Sequence, residues 1–475
     1  MTSAAAIRLD RASIAQLRAA LRDGQVTASA LFEQAAANHQ ARGAYLNGYR
    51  HWDQAGAQSL AAAADAVLQA GCDTGPLLGL PLAVKDVFGA RGMPMYGGTA
   101  RSFAEPWSQE GPIVSGWRNQ VGVITGKAHS VEFALGVVGT NPNTASPRNP
   151  WDAQNHRVCG GSTSGAGPIL HEGSAVLVLG TDGGGSIRVP ASLTGCVGLR
   201  TSLDRLPTGG GLALAPSLET PGLLARTVGD LIEGYAGTDP QMAHLAGRSA
   251  SQPAADLTGM TIGVADQLYW RDCGEGVAEA VLDALKQLER AGARLVDLPI
   301  PAAELAVEFS RIGGLTVPEV YYGVTTHFPD RIEAMDPNVW GRLSSLGNIS
   351  ASEYLHRKAV VRDLVTRVNQ LFDEVDLIAM PTTPITAPTL SEVAQLDAYR
   401  ACNVLMSRNT YLANLADTPA ISIVAGLDGR GLPVGLQLSG RQGSDEALLL
   451  AAWQAEAVLG TAARQIGYPP LPQPQ

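Results

Sequence analysis

One stretch constrains this chain more than any other: GTDGGGSIRVPA, from Gly180 to Ala191. It places Asp182, three successive glycines (Gly183, Gly184, Gly185), Ser186 and Arg188 within seven residues. The apolar run Ala175 to Leu179 leads into it and is closed by Gly180, which reads as a short buried strand. Glycines let the chain take backbone angles that side chains forbid. A serine at the end of such a turn is held by rigid backbone, and neighbouring N–H groups can converge beside its oxygen. That is the arrangement a serine nucleophile with an oxyanion hole requires. A glycine run by itself is equally a tight strand-to-helix turn, so further residues must decide.

Two other stretches supply them. CGGSTSGAG, Cys159 to Gly167, holds Ser162 and Ser164. GLPLAVKDVFG, Gly79 to Gly89, sets Lys85 inside an apolar segment that reads as a strand. A lysine there either snorkels outward or is buried and functional. Two serines and a lysine make a complete proton-transfer set without a histidine. No GxSxG elbow is present to recruit one, so His129, His156 and His171 are read as structural. Lys127, in GKAHSVEFALG, is also read as structural. Val121 stands where a phosphate loop needs its first glycine, and Ala128 where it needs Ser or Thr.

On these residues the chain resembles the amidase signature family. The serine-rich motif is followed, twenty-four residues after Ser162, by Ser186 in GTDxGGSIRxPA, and Gly79, Pro81, Val84, Lys85 and Asp86 fit G-x-P-x-x-V-K-D. NPWD (Asn149–Asp152), LETPGLLART (Leu218–Thr227), MPTTPITAP (Met380–Pro388) and GLPVGLQLSGR (Gly431–Arg441) extend the likeness over nearly the whole chain. The resemblance implies that Ser186 is the nucleophile, Ser162 the bridging serine and Lys85 the base. Gly183, Gly184, Gly185 and Ser186 would form the oxyanion hole, with Thr163, Asp182 and Arg188 in support. It also implies one domain over residues 1–475: a mixed β-sheet sandwiched between helices in an α/β fold. The activity implied is C–N hydrolysis of small amides through an acyl-enzyme, with carbamates, anilides and esters also within reach. The same motifs occur in the glutamine-hydrolysing component of tRNA amidotransferases, the alternative reading. A nucleotide-binding module is disfavoured, since no GxGxxG follows a strand in register. The chain departs from the family pattern at three positions. Cys159 stands where the family usually has proline, and Thr163 and Ser164 replace a serine and a glycine after Ser162. Thr163 keeps a hydroxyl for hydrogen bonding, while Cys159 is read as a small buried thiol.

Composition narrows the partners. A net charge of −10 argues against nucleic acid or an anionic membrane surface. No apolar run approaches a membrane span, and MTSAAAIRLDRAS lacks the apolar core of a signal peptide. Five scattered cysteines form no CxxC pair, so neither a disulfide framework nor a zinc site is expected. The expected protein is cytoplasmic, a monomer or homodimer, with a small-molecule substrate and no cofactor or metal.

Along the chain, Ile14, Leu17 and Leu21 recur at helical spacing and Gly24 stops the segment. Thr27 caps a second helix, and an alanine-rich third covers about Gln54 to Gln69. GVITG (Gly122–Gly126) reads as a strand, and Met260 to Pro299 as strand, long helix, strand. Residues 301–367 read as helical, with Phe309, Tyr321, Tyr322, Phe328, Trp340 and Tyr354, and are expected to form part of a substrate funnel. Further strands are expected at Asp376–Met380, Ile421–Val424 and Leu432–Leu438, then a closing helix at Asp445–Leu459 and a proline-rich tail.

Overall fold

Apolar side chains alternate along the strands at the centre of the protein, and both alternating sets are buried. In a computed structural model, which describes residues 7–301 and 303–472, Leu82 and Val84 join one core cluster while Ala83 joins another. Leu177 and Leu179 likewise separate from Val178, and Leu223 and Ala225 from Leu224. Successive strand residues point to opposite faces, so the sheet is covered on both sides. That demands near-continuous apolar strands rather than half-polar ones.

The strands are β1 (Tyr49–Trp52), β2 (Pro81–Lys85), β3 (Val123–Ala128), β4 (Leu177–Asp182), β5 (Val197–Arg200), β6 (Thr220–Ala225), β7 (Thr261–Ala265), β8 (Arg294–Leu298), β9 (Leu377–Pro381), β10 (Ala420–Leu427) and β11 (Pro433–Ser439). They form one eleven-stranded sheet in the order β1-β3-β2-β4-β6-β5-β10-β11-β9-β7-β8. β3, β2 and β4 run parallel, as do β9, β7 and β8. The remaining neighbours are antiparallel. This is the mixed, helix-covered α/β sheet expected from the sequence.

The local signals hold where they were strongest. Ser13 caps the helix Ile14–Arg22 with a capping box, Thr27 caps Ala28–Leu46, and the third helix runs Gln54–Gln69. The strand–helix–strand unit is β7, Val277–Arg290 and β8. The closing helix is Asp445–Leu459. Three strands, β1 (YRHW), β5 (VGLR) and β6 (TPGLLA), carry no periodic signal. They are short, or interrupted by Pro and Gly, and pairing with distant neighbours makes them strands. Residues 1–6, part of the segment read as lacking a signal peptide, lie outside the described residues, as do 473–475 of the tail. Among the described residues no helix is long and apolar enough to cross a membrane.

Leu179 is fully buried in β4, three residues before Asp182. Leu179→Ala is expected to destabilise the protein by about 2–5 kcal/mol, read as a lower denaturant midpoint at unchanged m-value.

Candidate active site

Parallel strands deliver side chains from their carboxyl ends to one place, where open α/β sheets bind ligands. Lys85 is the last residue of β2, and Thr181 and Asp182 are the last two of its parallel neighbour β4. Lys85 is fully buried. Its Nζ donates to Ser162 Oγ at 2.7 Å and to Thr181 Oγ1 at 2.7 Å. Burial pushes its pKa down to about 8, against the opposing pull of the Glu219 and Asp182 carboxylates. The alternative of a snorkelling lysine is therefore excluded.

Ser162 sits in a loop pinned on both sides. Its carbonyl accepts from Val131 N–H (3.0 Å), Gly161 N–H donates to Val137 O (2.8 Å), and the Gly161–Ser162 peptide is cis. Thr163 N–H donates to the Ser186 carbonyl at 3.1 Å, joining the two serine loops. The Thr163 hydroxyl, expected to hydrogen-bond, is buried with no partner among the described residues, so the support from this residue runs through its backbone. Among the described residues no hydrogen bond joins the Ser162 and Ser186 hydroxyls; Ser186 lines a pocket instead.

The glycine turn is organised from beneath by Asp182. Its Oδ1 accepts from Gly185 N–H (2.7 Å), Arg188 Nη2 (2.9 Å) and Asn414 Nδ2 (3.0 Å). Its Oδ2 accepts from Arg188 Nε (3.0 Å) and Ile187 N–H (3.2 Å). Burial would raise this carboxyl, but the Arg188 guanidinium outweighs it and holds the pKa well below the usual carboxylate range. Arg188 continues outward to Thr410 O and Gln437 Oε1, each at 2.8 Å. Gly185 has φ +120°, and a Cβ there would collide with Thr410 Oγ1, so glycine is required. The Asp182 contact corrects one expectation. With its N–H taken by a carboxylate, Gly185 is not free to hold an oxyanion. The N–H groups of Gly183, Gly184 and Ser186 make no hydrogen bond among the described residues, and these three residues line the pocket.

The pocket leaves about 40 Å³ of solvent space, a few times what one water needs. Phe133, Leu135, Val137 and Val320 form its apolar wall. Two charged residues that the sequence did not single out also line it, Glu219 and Arg342. Glu219 is 8% exposed and lies within LETPG just before β6; burial pushes its carboxyl up while Lys85 pulls it down. Arg342 lies on the helix Pro337–Leu346, and among the described residues no carboxylate pairs with it. Burial lowers its pKa, and the nearest opposing influences are Tyr399 and Tyr411. Glu132 fixes the helix to the pocket wall, accepting from Asp336 N–H (2.7 Å) and Asn143 Nδ2 (3.0 Å).

The remaining motif residues are structural. Lys127 donates to Phe88 O and lies 3.9 Å from Asp86. Burial lowers His129 to about 3 and His171 to about 4, keeping both neutral. Cys159 is fully buried, and burial pushes its thiol well up, which leaves no thiolate to react. Asn149 braces the helix Arg188–Thr194 through Leu193 O (2.8 Å). Of the residues 301–367, Ser310, Thr316, Val320 and Arg342 reach the pocket; none of the six aromatics does.

A family model described as Amidase matches residues 29–449. This chain belongs to the amidase family. It is 41% identical over 460 residues to the 2-amino-5-chloromuconic acid deaminase of Comamonas testosteroni, covering 97% of this chain and 99% of that one. It is 33% identical over 473 residues to the A component of the glutamyl-tRNA(Gln) amidotransferase of Roseiflexus castenholzii, covering 92% and 94%. A crystal structure of an amidase superposes with a TM-score of 0.81 at 28% identity, over 94% of this chain and all of that one. The protein is therefore a hydrolase of C–N bonds that acts on a small molecule. Like other amidase-family chains it carries the serine–serine–lysine set, here with Lys85 and Ser162 in direct contact.

Arg188→Met is expected to cost about 3–5 kcal/mol, because it strands the buried Asp182 carboxylate. Thermal melts at neutral pH check this. The contribution of Asp182 is present above its unfolded pKa of about 4 and is lost as pH falls below it.

Proposed function

We propose that this amidase hydrolyses the C–N bond of a small carboxylic acid that also bears an amide, by way of an acyl-enzyme on Ser186. The observation that carries the reading is Arg342, an arginine lining the Ser186 pocket with no carboxylate partner among the described residues. A guanidinium in that position recognises a carboxylate through two parallel N–H···O bonds. The Comamonas testosteroni relative supports the choice, since it is a deaminase of an amino-substituted acid. The small pocket suits a short acyl group, and residues 301–367 supply the acid-selecting side of the funnel.

In this mechanism Lys85, neutral once its proton is lost, accepts the Ser186 proton through the Ser162 hydroxyl. Ser186 Oγ attacks the carbon bearing the scissile nitrogen, and the N–H groups of Gly183, Gly184 and Ser186 hold the charge that develops on oxygen. The proton then returns to the departing nitrogen and the C–N bond breaks. Water attacks the acyl-enzyme by the same route. The Ser186–Ser162 hydrogen bond forms when substrate enters, as catalytic hydrogen bonds commonly shorten and align only in the complex.

A panel of primary amides, each with and without a free carboxylate, tests the substrate class by ammonia release. Acids should be preferred, Ser186→Ala should lose hydrolysis by at least about 10³-fold, and Arg342→Met should raise KM for acids alone. A charge-assisted hydrogen bond is worth about 1.5–3 kcal/mol, so that rise is about ten- to hundredfold. Equal loss on neutral substrates refutes the carboxylate role, and glutamine as the sole good substrate would favour the amidotransferase reading.

Lys85→Ala should lower kcat/KM for an amide more than for an activated ester. An amine must be protonated as it leaves, whereas a phenolate leaves without a proton; general acid–base catalysis contributes about 10²–10⁴-fold. Equal losses on both substrates would restrict the lysine to activating the serine.

A further inference from the structure

The charges around Lys85 do not balance until a residue outside the serine–lysine set is included. Four elements face the lysine. The serine loop contributes the neutral hydroxyl of Ser162. The end of β4 contributes Thr181 and Asp182, and Asp182 is already neutralised by Arg188, 2.9 Å away, with the buried Arg200 behind it. On Lys85's own segment, Asp86 is turned to Lys127 and to the N–H groups of Tyr96 and Gly98. The segment leading into β6 contributes Glu219, whose backbone packs beside Gly183. Among the described residues no cation lies within ion-pairing distance of the Glu219 carboxylate, so it is the one uncompensated anion facing the lysine.

Thr181 Oγ1 accepts from Lys85 Nζ at 2.7 Å, and Glu219 stands one residue before β6, the strand that pairs with β4 at Thr181 and Asp182. Hydrogen bonds run from Ser162 through Lys85 to Thr181, and Glu219 lines the Ser186 pocket. A carboxylate serving only to pack the core would be expected to find a salt bridge or several N–H donors. Glu219 has neither.

We propose that Glu219 is the positioning residue for Lys85: its carboxylate holds the lysine in the relay and stabilises the ammonium formed when Lys85 takes the serine's proton. The proposal rests on reading Lys85 as the base. While the O–H bond of Ser186 is broken, the proton resides on Lys85 opposite Glu219, and it leaves again to the departing nitrogen. No oxidant or further reactant is involved. The carboxylate offsets part of the burial that drives the lysine toward its neutral form.

The chain has only four lysines, Lys85, Lys127, Lys286 and Lys358, so each can be followed by NMR of ¹³Cε-labelled protein. The experiment titrates Lys85 in the wild type, in Glu219→Gln and in Glu219→Asp, and measures kcat/KM against pH on a neutral activated ester for the same three proteins. Glutamine keeps the size but loses the charge; aspartate restores the charge. An opposite charge at close range shifts a pKa by about one unit or more. The Lys85 midpoint and the rising limb of the pH profile should therefore both move down by about one unit in Glu219→Gln, with kcat about tenfold lower. Both should return in Glu219→Asp, and the other three lysines should not move. An unchanged Lys85 midpoint in Glu219→Gln overturns the proposal, as does a loss of rate with no shift of the limb and no rescue by aspartate. A midpoint that moves while the limb stays put refutes instead the reading of Lys85 as the base.

Discussion

The buried pair of Asp182 and Arg188 is the contact on which the site depends. Both side chains are fully buried, and such a pair is stable only when its other lone pairs and protons are also satisfied. They are satisfied by three elements around the loop that carries Ser186. The glycine turn gives Gly185 and Ile187 N–H, the helix Leu396–Leu415 gives Asn414 and Thr410, and β11 gives Gln437. Six residues after its carboxylate, the turn's own arginine closes the knot. Ser186 is carried by that knot without taking part in it, which lets the hydroxyl face the pocket while its backbone stays fixed.

The second constraint is electrostatic. β2 places a lysine where no water reaches it, and burial alone draws its pKa to about 8 against the pull of two carboxylates. A lysine at its ordinary pKa would be protonated at neutral pH and useless as a base. The two carboxylates act differently. Asp182 is tied up by Arg188, whereas Glu219 has no ion-pair partner among the described residues. The Ser186 pocket itself is lined by Glu219 and by Arg342, which has no carboxylate partner among the described residues.

Much of this was legible in order along the chain. The residues of GTDGGGSIRVPA lie within twelve positions, so their mutual geometry is local, and the turn, the serine and the aspartate–arginine pair could be read together. Helix caps at Ser13 and Thr27 and the apolar alternation of β2 and β4 were equally local. Glu219 and Arg342 were not legible. Glu219 lay inside LETPG, a stretch already matched to the family pattern, but nothing in its neighbours announced that it would face Lys85. Arg342 lies among aromatics expected to form the funnel, none of which lines the Ser186 pocket. Thr163 kept its hydroxyl, but only the fold showed that hydroxyl unpaired and the backbone N–H bearing the contact.

The sequence by itself determined the chemistry on offer: a serine on a glycine turn, a second serine, a lysine in an apolar strand, and a family whose members cleave C–N bonds. These follow from residue type and short spacing, which survive in one dimension. Tertiary structure decided which charges face one another, because that depends on strand order. β2, β4 and β6 are neighbours in the sheet although their sequences lie far apart. Only that adjacency brings Lys85, Thr181 and Glu219 together, and only the packing of the helix Pro337–Leu346 places Arg342 beside Ser186.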